Sequence, residues 1–342
     1  MSSDVTRTGL AGVKADREAL VGAVAGRRNG HTAGGRGEQP MVPKAEFGSY
    51  YGKPVLNRPV WKSTEIAGYL FLGGLAGASS VLAAGADLTG RPALARAAKT
   101  GAATAGALSL AALVKDLGRP ARFLNMLRTF KPTSPMSVGS WLLAGYVPAA
   151  GVAAASALTG RAGRLGAAAT AGAAGLGPLV ASYTAALIAD TAVPAWHDGH
   201  RQMPFVFAGS AAAAAGGLGL VAAPPGEAGP ARQLAAFGAL TELAAAQRME
   251  REIGMVAEPY KTGRAGRLMR AGEVLTVAGL VGSQLGRRHR VVTAASGLAL
   301  LAASAATRFG IFHAGLQSAD DPKYTVVPQR QRRAGCEAPQ AV

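Results

Sequence analysis

Apolar runs of nearly bilayer length, separated by short clusters of charge, leave this chain one class of fold. Eight such runs occur, at roughly 65–86, 97–114, 138–158, 165–189, 204–223, 231–247, 268–286 and 291–313. A soluble chain spreads charge over its helix surfaces at a period near 3.6. Here the charge collects between the runs, and a bilayer core of about 30 Å takes about 20 residues of helix. Only 16% of the 342 residues are charged, against roughly 25% in an ordinary soluble domain. Backbone polar groups in lipid need partners within their own segment, so every span must be helical. The expectation is an all-α integral membrane bundle of eight transmembrane helices over residues 55–328. Polar tails at 1–54 and 329–342 read as disordered. The sixth run is short and carries Glu242. Small residues recur at helix-packing spacing, as in Gly73-Gly74-Leu75-Ala76-Gly77 and from Gly209 to Gly219. No repeat between the two halves stands out in the residues.

The net charge is +17, from 36 Lys and Arg against 19 Asp and Glu. Nucleic acid is a poor match for it, because aromatics are only 6% and no base-stacking module is visible. Retention of Lys and Arg in cytoplasmic loops accounts for the excess. With eight spans, both termini share one side. That side holds 26 of the Lys and Arg and the other side 9, and Arg308 lies within the last run. Without the tails the margin is 12 to 9. The positive-inside rule then places both termini in the cytoplasm of a multi-pass cell-membrane protein. Residues 1–40 contain no continuous apolar stretch of the kind a secretion signal needs. The single cysteine, Cys336, forms no internal disulfide and supplies too few ligands for an iron–sulfur cluster. With only five His and no clear facing pair, the chain is expected to bind no haem or other cofactor of its own.

Four segments depart from a generic membrane protein. Pro120 ends the second run, and residues 122–130 read as an amphipathic helix at the interface. Arg119, Arg122, Arg128 and Lys131 give that loop a positive face, followed by a Pro/Ser/Thr turn through Trp141. On composition alone, a loop that fixes topology is the commoner reading. In the fourth run Tyr183 and Asp190 are seven apart, on one helical face. Asp190 is either an intramembrane acid with a function or a cap that touches water. At the start of the first run Glu65 and Tyr69 are four apart. They read as a headgroup-binding pair or, more simply, as a helix N-terminal acid and an interfacial tyrosine. In the last run Arg308 calls for a counter-ion, with Asp190, Glu242 and Glu273 as candidates for an ion pair or proton path.

Together these segments resemble the NrfD family, the membrane subunits of polysulfide reductase-type complexes. The resemblance rests on Tyr69 through Gly77, on Asp116-Leu117-Gly118-Arg119-Pro120 with Arg122 through Leu127, on Lys131 through Trp141, on Tyr183 through His197, and on Arg308 through Tyr324. It covers about residues 55–328, with the motifs in matching order. It implies eight transmembrane helices without haem and a ferredoxin-like partner holding [4Fe–4S] clusters. A molybdopterin catalytic subunit often completes such complexes. The implied substrate is a quinone, in many such membranes menaquinone, bound near the start of the first helix. On matching positions this points to Glu65 and Tyr69, with Asp116, Arg119 and Tyr183 as neighbours and Asp190 as a further acid. Arg122, Arg128 and Lys131 would then face the partner. The rival reading is a secondary transporter or ion-translocating protein that couples through Asp190, Glu242, Glu273 and Arg308 near the midplane. A third reading is a purely structural anchor. Beyond these, the only further contacts expected are with membrane lipid.

Overall fold

The computed structural model describes residues 55–117 and 121–337. The expected tail 1–54 and Arg119 lie outside the described residues. Eight helices of 20 or more residues carry the fold: α1 (Ser63–Leu88), α2 (Pro92–Asp116), α4 (Pro135–Thr159), α5 (Gly163–Ala189), α7 (Met203–Ala222), α8 (Gly229–Glu252), α10 (Gly263–Leu285) and α11 (Arg290–Asp320). Four short ones lie between or after them: α3 (Ala121–Met126), α6 (Pro194–Asp198), α9 (Glu258–Lys261) and α12 (Lys323–Glu337). All eight expected runs are therefore helices. Six of them, α1, α2, α4, α5, α7 and α11, are long and apolar enough to cross a membrane. α8 and α10 fall short because Arg232, Glu242 and Arg248 interrupt the one, and Arg267, Arg270 and Glu273 the other.

Local chemistry sets the helix ends. Pro92 and Pro135 occupy first-turn positions, where a missing N–H costs nothing. α2 accordingly starts five residues before the expected apolar run. α4 ends at Gly160, whose φ of 68° is the left-handed conformation glycine adopts freely. α11 runs to Asp320, seven residues past its expected end. The tail expected from residue 329 is still helical in α12 as far as Glu337. That helix is tied back where Lys323 meets Glu258 of α9 at 3.0 Å and Tyr324 is buried.

The long helices form two groups of four. In the first, α1 pairs with α2, α4 with α5, and α1 also packs along α5. In the second, α7 pairs with α8, α10 with α11, and α7 packs along α11. α1 against α7 joins the groups. The pairing order therefore repeats, although the residues do not show it. Ala and Gly make these contacts, with Gly77 against Gly177 and Gly217 against Gly297 at backbone contact. All four short helices follow the second, fourth, sixth and eighth of the long helices, at the end of the bundle where the described chain begins and ends. The connections on the opposite side are only three to six residues long.

Candidate functional site

Two helices deliver one phenol each to the same point. Tyr69, fully buried, sits two turns into α1, and Tyr183 lies near the end of α5. Their hydroxyls hydrogen-bond to each other across 114 residues of sequence. Gly139 of α4 makes room for the second ring, since a Cβ there would lie 2.2 Å from Tyr183 Cε2. Ser109 Oγ of α2 donates to the Tyr69 carbonyl at 3.1 Å and ties α2 to α1 at this level. Beside the phenols is a cavity of about 120 Å³ at the terminus-side end of the first group. Asp116, Trp61, Ser140, Met126 and Met136 line it with the two tyrosines. Asp116 is the last residue of α2 and lines the cavity from the helix end.

The remaining expected site residues divide around this cavity. Glu65 stands one turn before Tyr69 and pairs with Lys115 at 3.3 Å, bridging the start of α1 to the end of α2. It is adjacent to the cavity without lining it. Asp190 does not join them. α5 ends at Ala189, and Asp190 is its exposed cap, with its N–H on the Ala186 carbonyl. The seven-residue spacing to Tyr183 assumed a helix that continues, and the chain turns instead. Arg122, Arg128 and Lys131 are exposed on the segment around α3, next to the exposed Leu124 and Phe130. Arg122 Nη1 donates to the Leu117 carbonyl at 3.1 Å, and Ser137 Oγ bonds the Thr129 carbonyl and the Lys131 N–H. These bonds hold that basic turn in shape.

One residue of the cavity wall went unread in the sequence. Trp61 precedes α1 and stacks on Trp196 of α6 at 5.8 Å and 18°. Trp196 is fully buried, donates from Nε1 to the Ile311 carbonyl at 2.8 Å, and packs against Phe312. The signal was available: Trp61, Glu65 and Tyr69 are spaced by four.

The second group of helices holds a separate polar centre. Arg308 and Glu242 are buried there, without an ion pair between them. Arg308 instead donates from Nη2 to the Phe207 carbonyl at 2.7 Å and lies over the Phe207 ring at 3.7 Å. Glu242 Oε1 accepts from Thr307 Oγ1 at 2.8 Å, and its Oε2 has no hydrogen-bond partner among the described residues. Of the other expected counter-ions, Glu273 is exposed and Asp190 caps α5. A cavity of about 450 Å³ runs from Glu242, Thr276 and Thr307 past Glu273 to Lys261 and Arg270 at the rim.

The family described as "Polysulphide reductase, NrfD" matches residues 53–223, half of the chain, from just before α1 to just past the end of α7. The tyrosine pair, Asp116 and the basic turn all lie within that stretch. The Arg308–Tyr324 segment lies beyond it. Comparison with curated proteins gives no match.

Proposed function

This chain belongs to the NrfD family, and on that premise we propose that it is the quinone-reactive membrane subunit of a multisubunit oxidoreductase. It exchanges electrons between the quinone pool of the cell membrane and an iron–sulfur partner, itself coupled in some complexes to a molybdopterin subunit. The observation that carries this reading is the pair of phenols meeting at a cavity that also holds a carboxylate. A quinone presents carbonyl acceptors and a quinol presents hydroxyl donors, and a tyrosine hydroxyl serves both. At about 120 Å³ the closed cavity is smaller than a typical ligand site of 300 Å³ or more. The Tyr69–Tyr183 hydrogen bond is what a quinone oxygen replaces on entry, with the half-buried Tyr183 turning aside.

Quinol oxidation releases two electrons and two protons. Asp116 is placed to take the two protons one after the other from the ring hydroxyls, passing each to water at the half-exposed end of α2 before it takes the next, and the Glu65–Lys115 pair stands beside that end. The electrons leave to the iron–sulfur clusters of the partner. In the reducing direction the same groups return the protons. A photoreactive quinone analogue tests the assignment on the assembled complex. Labelling is expected at the terminus-side ends of α1, α2 and α5, and labelling confined to the second group of helices would sink it.

In this reading all eight long helices cross the bilayer. Phe237 and Leu240 on α8, and Val274, Val277 and Val281 on α10, support it by facing outward. Glu242 with its cavity is then a proton path reached from the terminus side, which the acid's burial makes functional by default. The transporter alternative loses Asp190, which caps α5 in the first group of helices, whereas Glu273 lines the Glu242 cavity and belongs to the same proton path. Both termini are cytoplasmic, so a phosphatase fused to the C-terminus is expected to stay inactive and a fluorescent reporter to fluoresce. The opposite result would move the partner to the other face.

The partner docks on the basic turn around α3 and on α6, where Arg122, Arg128 and Lys131 suit an acidic surface. Charge reversal at Arg122 and Arg128 together is expected to release the iron–sulfur subunit from membranes, with the chain itself still inserted. Unchanged co-purification would place docking elsewhere.

A further inference from the structure

The lipid-facing side of α2 carries a groove of about 630 Å³ that the quinone reading does not use. Ala97, Gly101 and Thr104 form its floor, and Leu72 of α1 and Leu218 of α7 form a wall. Gly101 lets the Leu218 wall close in on α2, because a Cβ there would lie 2.2 Å from Leu218 Cδ2. Arg96 stands at the end away from the termini. It is exposed and has no ion-pair partner among the described residues, whereas its neighbour Lys99 is held by Asp87 at 2.6 Å.

Position gives this groove its meaning. α2 has 25 residues, a rise of about 37 Å, so its first turns extend beyond a hydrocarbon core of about 30 Å. Arg96 lies four residues past Pro92 and therefore at the level where headgroups begin. From Arg96 to Leu108 the groove descends about 18 Å, close to the depth of one leaflet at about 15 Å. A cation at headgroup level above an apolar trough one leaflet deep matches a phospholipid in shape and charge. Arg91, just outside α2, adds a second positive charge at that level and disfavours a headgroup bearing its own ammonium. The isoprenoid tail of a quinone would fill the trough but bring no anion to Arg96. We infer that this groove binds one anionic phospholipid from the leaflet opposite the termini, its phosphate on the Arg96 guanidinium and one acyl chain along α2. A planar guanidinium is suited to phosphate oxygens.

Native mass spectrometry of the full chain, released from phosphatidylcholine nanodiscs that contain phosphatidylglycerol, tests this. One phosphatidylglycerol is expected to stay with each chain. Arg96→Gln is expected to lower its retention about fivefold, the worth of one basic side chain beside anionic headgroups. Thr104→Leu should lower it too by filling the trough, and both altered side chains are exposed, so the fold tolerates them. Arg161→Gln, in the α4–α5 connection on the same membrane face, should leave retention unchanged. Wild-type retention in both groove variants, equal retention of phosphatidylcholine, or a quinone in place of the lipid would overturn the inference.

Discussion

Replacing Asp116 by asparagine is expected to lower quinol-linked turnover by roughly a hundredfold or more, the usual contribution of a positioned proton acceptor. The amide keeps the shape of the carboxylate and cannot take the proton. Asp116 is half-buried at the end of α2, so the change should leave the complex assembled. Tyr69→Phe and Tyr183→Phe each remove one hydrogen bond to the ring, worth about 0.5–1.5 kcal/mol, and should raise KM up to about tenfold. The three variants thus separate by kinetic parameter: kcat for the acid, KM for the phenols. Stopped-flow oxidation of a short-chain quinol by the assembled complex reads both. Wild-type kcat in Asp116→Asn with normal assembly would remove that residue from the chemistry and leave the membrane-subunit role standing.

How much of this was legible in the residues depends on the distance over which each contact acts. Helix existence was legible, because a run of apolar residues in lipid has one conformation open to it. Helix ends were less so. Pro92 starts α2 inside what reads as a charged loop, and α11 continues through His313 and Gln317 to Asp320, beyond the apolar run. Tyr69 and Tyr183 each stood out within their own segment, but nothing local shows that 114 residues apart they share a hydrogen bond. Asp116 entered through family resemblance alone and lines the cavity, whereas Asp190, chosen on helical spacing, caps a helix that ends one residue earlier.

Arg308 shows the limit of charge-pattern reasoning. A buried cation was read as needing an acid, and four sites of charge in the apolar runs invited a pairing. The structure gives it the Phe207 carbonyl and ring, two groups that carry no formal charge and so leave no trace in a charge count, while its Nε and Nη1 have no hydrogen-bond partner among the described residues. The twofold repetition of helix pairing is hidden for a related reason. Ala and Gly make the contacts in both groups, and small residues interchange freely as long as backbones can approach.

That close approach carries the other large effect. Gly77→Val is expected to abolish the folded protein in membranes, and Gly77→Ala to lower its thermal midpoint by several degrees. A Cβ on Gly77 would lie 2.3 Å from the Gly177 carbonyl oxygen, and one on Gly177 would lie 2.4 Å from the Gly77 carbonyl oxygen. Both obstacles are backbone, so no side chain can swing away, and α1 and α5 must separate. Overpacking of this kind costs about 1–3 kcal/mol for a small intrusion and more for a larger one. Gly85 lies on the same helix with nothing within 4 Å of its Cβ position. Gly85→Ala is therefore expected to be neutral or stabilising, since alanine is the better helix former by about 1 kcal/mol. The contrast separates contact from propensity, and fluorescence-detected size-exclusion of the heated protein measures it. The same contact bears on the site. Gly77 lies eight residues from Tyr69 on α1, and Gly177 six from Tyr183 on α5, so this crossing sets the distance between the two phenols. In the Gly77→Ala protein that still folds, the quinol KM should therefore rise with the loss of stability. A KM that stays at the wild-type value in a destabilised Gly77→Ala protein would show that the tyrosines are held by α2 and α4 rather than by the α1–α5 crossing.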